Sequence, residues 1–184
     1  MLRNTGTQWG SVAKAFHWIV AVFIFAEFFL GWVAATMALS PAKLNLFVWH
    51  KSIGLLILLV VALRLVWRLA NPVPQPPASM PRWQYTASTS DHLAQYALML
   101  GLPFSGWIID SAANIPFRVF WLFPLPRLAG PSKSLEELAK NVHFGIWIGL
   151  AVLIAVHTAA ALWHHLIARD DVLRRMLPQW KSEP

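Results

Sequence analysis

Residues 49–68 read WHKSIGLLILLVVALRLVWR, and this stretch decides the class of the fold. No residue between Lys51 and Arg64 carries a charge, and nearly all are aliphatic. A helix needs about 20 such residues to cross the hydrocarbon of a bilayer. The run extends over 45–69, and comparable stretches lie at about 15–37, 91–112 and 136–168. Charged residues make up only 12% of the chain, against roughly 25% in soluble domains. The expectation is an all-α fold: one integral membrane four-helix bundle over residues 1–184. Short connections make neighbouring helices antiparallel. The first stretch is longer than the roughly 7–15 residues of a signal-peptide core, so it is read as a retained span. With no cysteine in the chain, disulfides, iron–sulfur clusters and thioether-attached haem are excluded.

The net charge of +7 does not point to nucleic acid, because the basic residues are scattered over helix ends and form no stripe. Their distribution sets orientation instead. Nine fall on one side: Arg3, Lys14, Arg64, Arg68, Arg82, Arg169, Arg174, Arg175 and Lys181. Six fall on the other: Lys43, Lys51, Arg118, Arg127, Lys133 and Lys140. The positive-inside rule then places both termini in the cytoplasm. Trp18, Trp32, Trp49, Trp67, Trp107 and Trp163 lie near span ends, where amphipathic rings settle. The Pro-rich segment 71–83 stops the second helix and forms a stiff cytoplasmic linker, and 169–184 is a basic tail. The aromatic, proline-broken third connection is expected along the outer interface. Ser134, with Glu137 three residues on, is the expected capping box of the fourth helix.

Histidines at membrane depth are costly and functional by default. His143 and His157 share the fourth span, fourteen residues apart, which is about 21 Å along the axis and within roughly 40° of one face. His17 opens the first span on the cytoplasmic side, and His50 opens the second on the outer side. Antiparallel packing then lets His17 meet His157 and His50 meet His143, giving two pairs at two depths. Gly31 follows His17 by fourteen residues, as Arg64 follows His50. Glycines such as Gly31 and Gly54 leave room beside a flat macrocycle. Arg64, Arg68 and Lys51 supply cations for its propionates. Two haems between the helices, each with two imidazole ligands, satisfy these demands. Zinc is the rival metal, disfavoured because the spans offer few carboxylates.

Several segments resemble the bacterial di-haem cytochrome b561 family over about residues 10–178. They are FHW (16–18), WHKSIG (49–54), RLVWR (64–68), VHFG (142–145) and VHTAAALWHHLIARDDVLRRM (156–176). The resemblance implies a four-helix bundle in the bacterial cytoplasmic (inner) membrane, two b haems, and electron exchange with quinone. It also implies His17, His50, His143 and His157 as iron ligands. Some members pass an electron from superoxide at the outer face to ubiquinone. Glu27, at mid-depth in the first span, has no role in this pattern and is expected to be protonated or hydrogen-bonded.

The remaining histidines outline a quinone site on the cytoplasmic side. His164 lies two turns beyond His157, with His165 after it and His92 at the start of the third span. Imidazole can donate to a quinone carbonyl and supply a proton. On the outer side, Lys51 and its basic neighbours would draw in a small periplasmic anion such as superoxide. The resulting expectation is a multi-pass oxidoreductase relaying electrons from superoxide through two haem b to ubiquinone, with Lys51 and His164 at its two substrate sites. The alternative is a haem-bearing membrane anchor subunit of a larger dehydrogenase or hydrogenase. A histidine-lined metal transporter ranks third.

Overall fold

In hydrocarbon every backbone N–H and C=O must be satisfied within its own segment, and an apolar run therefore coils into a helix. The computed structural model describes residues 1–77 and 80–178. It places the four apolar runs in four long helices: α1 (Ser11–Thr36), α2 (Pro41–Leu69), α3 (Arg82–Ala112) and α4 (Lys133–Trp163). Both ends of the described chain lie at one end of the bundle, here the terminal end. There Lys14 Nζ donates to the Leu177 carbonyl (3.0 Å) and Trp18 Nε1 to the Met176 carbonyl (3.0 Å). The opposite end carries the α1–α2 and α3–α4 connections and is called the loop end.

α1 packs closely along α2, α2 along α3, and α3 along α4. α1 and α4 meet chiefly through side chains such as Phe28 and Trp147, whose ring centroids are 5.9 Å apart. Val20, Ile24, Ile57, Val61, Tyr96, Met99 and Leu150 form the buried core. The outward faces carry exposed Val22, Phe25, Phe29, Leu59, Leu63 and Val152. This surface suits lipid and would be costly in water.

Three of the long helices, α1, α2 and the continuous run from Lys133 to Ala168, are apolar enough to cross a membrane by length and composition. α3 differs. It was expected over 91–112 but starts at Arg82, nine residues earlier. Its first turns hold polar residues that bond back into the helix: Thr86 to Arg82 O (3.1 Å), Ser88 and Thr89 to Tyr85 O (both 2.9 Å). Hydropathy cannot register a polar helical segment of this kind. Its 31 residues span roughly 46 Å against about 30 Å of hydrocarbon, so the polar third can project beyond the membrane. The expected linker 71–83 is correspondingly shortened at its end; its residues 78 and 79 lie outside the described residues.

The start of α4 also departs from expectation. Ser132, not Ser134, is the N-cap, accepting from Leu135 N at 3.4 Å. Ser132 N donates to Ala112 O (2.9 Å) at the end of α3, which fixes the cap two residues upstream of Ser134. Glu137 therefore completes no capping box. The third connection folds across the loop end. Arg118–Val119 (β1) pairs antiparallel with Phe123–Pro124 (β2), Phe117 and Val119 are buried, and Phe120 N donates to Ser52 Oγ (2.8 Å). Beyond Trp163, α4 widens into one π-helical turn, His164–Ala168, and Arg169 in the left-handed region (φ 54°) ends it. A short helix, α5 (Val172–Met176), follows. Residues 179–184 of the expected basic tail, with Lys181, lie outside the described residues.

The two serines are separable by mutation. Ser132→Ala removes the cap and should cost about 1 kcal/mol, whereas Ser134→Ala should stay within about 0.5 kcal/mol. Thermal unfolding of the detergent-solubilised variants measures both.

Candidate functional site

The antiparallel bundle brings the membrane-depth histidines together in two pairs. His17 of α1 and His157 of α4 lie near the terminal end, with ring centroids 6.2 Å apart. His50 of α2 and His143 of α4 lie near the loop end, with centroids 6.3 Å apart. Two imidazoles bound to one metal through ~2.0 Å bonds have centroids about 6 Å apart. Both pairs match that spacing.

A ligating imidazole needs its second ring nitrogen held by another group, which fixes tautomer and orientation. Each of the four has a polar group beside that nitrogen, and for three of them the group can accept its hydrogen. Ser105 Oγ donates to the Leu102 carbonyl at 2.7 Å and lies 2.9 Å from His143 Nδ1. With its one hydrogen given to Leu102, the hydroxyl accepts from Nδ1–H and leaves the Nε2 lone pair free. Glu27 Oε2 approaches His50 Nδ1 to 2.5 Å, at an angle short of a linear hydrogen bond, and Oε1 is buried without a partner. Asp91 Oδ2 lies 3.4 Å from His157 Nδ1. Arg64 Nη2 lies 3.2 Å from His17 Nδ1. A guanidinium only donates, so metal binding through His17 Nε2 requires Arg64 to release that nitrogen. Glu27 was expected to be protonated or hydrogen-bonded to a neighbour, and the residue beside it is His50.

Between the loop-end histidines lies a cavity of about 440 Å³ walled by all four helices and the third connection, mostly apolar in lining. That volume is typical of cofactor sites. Its glycines act in two ways. A Cβ on Gly31 would lie 2.9 Å from His50 Cε1, and one on Gly106 would lie 3.4 Å from His143 Cε1, so these two keep the rings in place. A Cβ on Gly54 would meet nothing within 4 Å and would project into the space itself.

Lys51 lines this cavity but is not a free cation. Its Nζ lies 2.6 Å from Asp110 Oδ1 and within 5.7 Å and 5.6 Å of the Phe47 and Phe117 ring centroids. Lys140, also at the cavity, pairs with Glu136. Lys43 donates to the Met37 carbonyl, and Arg118 to the Trp121 and Leu122 carbonyls. Of the basic face expected at this end, Lys51 and Lys140 are paired with carboxylates, whereas Lys43 and Arg118 keep their charge and are tethered to backbone carbonyls.

At the terminal end, Arg64 and Arg68 gather at Tyr96, 5.4 Å and 6.0 Å from its ring centroid. His92 packs 5.5 Å from His157, and with Asp91 the three offer ligand atoms within 4.8 Å of one another. His164 pairs with Asp170, whose Oδ2 lies 2.5 Å from its Nδ1 while Oδ1 accepts from Val172 N. His165 follows in the same π-helical turn, its Nδ1 buried without a partner. Ser105, Gly106 and Asp91 were not singled out from sequence, and Asp110 was placed on the outer face without a partner. An ionisable residue within an apolar run signals Asp110, but nothing local signals Ser105 or Gly106.

A membrane bundle with imidazoles paired across its helices at two depths belongs to the b-type cytochromes. The chain is a member of the prokaryotic cytochrome b561 family, whose pattern matches residues 8–179. It is 32% identical to cytochrome b561 homolog 2 of Escherichia coli (strain K12), over 98% of this chain and 96% of that one. It is 30% identical to cytochrome b561 homolog 1 of the same organism, over 90% and 94%. It is 28% identical to a probable superoxide oxidase of Yersinia pestis, over 71% of this chain and 73% of that protein. The family carries b-type haem and moves electrons across membranes.

The Lys51–Asp110 contact predicts energetic coupling. Lys51→Met and Asp110→Asn should each destabilise the protein, and the double variant should lose less than their sum by on the order of 1 kcal/mol. A double-mutant cycle on thermal unfolding in detergent measures the difference.

Proposed function

We propose that this protein relays electrons across the bacterial inner membrane from superoxide, on the periplasmic side, to ubiquinone on the cytoplasmic side. The carriers are two b haems, one between His50 and His143 and one between His17 and His157. The observation that carries the reading is the equal spacing of these pairs, 6.3 Å and 6.2 Å, at opposite ends of one apolar core. The family membership supports b-type haem, and the Yersinia pestis relative supports superoxide as donor. The excess of basic residues at the terminal end supports a cytoplasmic location for both termini.

Each haem, when bound, supplies a one-electron couple. The chain supplies the rest. Ser105, Glu27 and Asp91 orient His143, His50 and His157. Gly54 leaves the space a flat ring requires, and Gly31 and Gly106 leave room for the His50 and His143 imidazoles. Arg64 and Arg68 are placed to hold propionates, and Arg64 leaves His17 in doing so. Val61 and Leu150, almost wholly buried between the two levels, exclude water and keep protons from following the electron.

At the loop end Lys51 stands beside His50 and, with Asp110, lines the entrance used by the small anion. Lys43, Arg118, Arg127 and Lys133 supply the longer-range attraction. At the terminal end His164 donates to the quinone carbonyl through Nε2, since Asp170 occupies Nδ1. His92 and His165 flank this site.

Two experiments test the reading. The purified chain should hold two low-spin b haems. His50→Ala and His143→Ala should remove the same one, and His17→Ala and His157→Ala the other, as read from visible spectra and haem-to-protein ratios. A different pairing of the losses would refute the assignment.

In stopped-flow assays, superoxide should reduce the haems rapidly and more slowly as ionic strength rises. His164→Leu should keep both haems and slow their reoxidation by ubiquinone. If superoxide failed to reduce them, the donor would be wrong; unchanged reoxidation would remove His164 from the quinone site.

A further inference from the structure

The two histidine levels differ in the charge around them. At the His50–His143 level the Glu27 carboxylate touches His50 Nδ1 at 2.5 Å. The nearby cations there are already spent: Lys51 pairs with Asp110, and Lys140 with Glu136. The partner imidazole, His143, is backed by the neutral hydroxyl of Ser105. Among the described residues Glu27 is left as the carboxyl group of that level with no Lys or Arg partner.

The His17–His157 level is the reverse. Its carboxylate, Asp91, stands off at 3.4 Å from His157 Nδ1. The Arg64 guanidinium reaches His17 Nδ1 at 3.2 Å, and Arg68 shares its contact with the Tyr96 ring. Two cations stand against one carboxylate at this level, where the other level has no unpaired Lys or Arg beside its ligands.

A carboxylate on a ligand's second nitrogen makes the imidazole a stronger electron donor. Net negative charge in a low-dielectric site stabilises the oxidised metal, and net positive charge the reduced one. Resting on the ligand assignment above, we propose that Glu27 on one side, and Arg64 and Arg68 on the other, set the His50–His143 level to the lower reduction potential. One-electron transfer then runs downhill from the couple at His50–His143, which is oxidised, to the couple at His17–His157, which is reduced. The polarity is built into side chains that contact neither donor nor acceptor, and Glu27 and Arg64 act as positioning residues for the direction of flow.

Spectroelectrochemical titration of the haem-loaded protein tests this without any turnover. The wild type should show two one-electron components. His50→Ala should leave one haem, with the higher of the two potentials. Glu27→Gln should raise the lower component by about tenfold in its redox equilibrium, ~59 mV for one electron, with the higher one unmoved. Glu27→Asp should restore the wild-type value. Arg64→Gln should lower the higher component, which keeps the test open if Glu27→Gln binds haem poorly. The proposal is overturned if the haem left in His50→Ala has the lower potential, or if neither Glu27→Gln nor Arg64→Gln moves a component. Loss of no haem in His50→Ala would instead overturn the ligand assignment on which it rests.

Discussion

Four residues, Met37 to Ser40, reverse the chain between α1 and α2, and so short a reversal leaves no slack in the register of the two helices. Three contacts depend on that register. Gly31 sits against the His50 ring, Glu27 reaches the His50 Nδ1, and Arg64 reaches the His17 Nδ1. Shifting α2 along α1 by one residue would carry each pair about 1.5 Å along the axis and 100° around it. Ser40 capping Lys43 N, Pro41 in the first turn, and Lys43 Nζ on the Met37 carbonyl hold the reversal in place. The chemistry of both ends therefore begins in a turn that contains none of the functional side chains.

Much of this was legible in the chain because membrane helices are governed by few rules. Length, apolarity and the fourteen-residue separations place four histidines at two depths without any tertiary information. What escaped the sequence were partners supplied by other helices. Glu27 is conspicuous as a carboxylate in an apolar run, yet its proximity to His50 requires the register of α2 against α1. Ser105 and Gly106 are ordinary residues for a membrane helix and gain meaning only because His143 of α4 faces them. Lys51 shows the converse: beside His50 it reads as a free cation, and only the packing of α3 reveals Asp110 against it.

Boundaries failed where polarity and helicity part company. The first turns of α3 satisfy their hydroxyls on their own carbonyls, so a polar segment continues a helix that hydropathy ends. Past Trp163 the helix widens into a π-helical turn, and Asp170 then folds back onto His164. Both departures occur at the terminal end, where the chain leaves the lipid and local hydrogen bonds replace the bilayer as the organising influence.

The loose seam between α1 and α4 has a consequence for assembly. The chain forms two helical hairpins, α1 with α2 and α3 with α4, each able to insert as a unit. Each histidine pair draws one imidazole from the first hairpin and one from the second, His17 with His157 and His50 with His143. Neither hairpin owns a complete pair at either depth. A bis-imidazole metal complex can therefore close only once the two halves have met, and the absorbance of that complex becomes a reporter of finished folding. A haem held by these pairs would act as a clasp as well as a conductor, joining the pieces of the bundle whose backbones approach each other least.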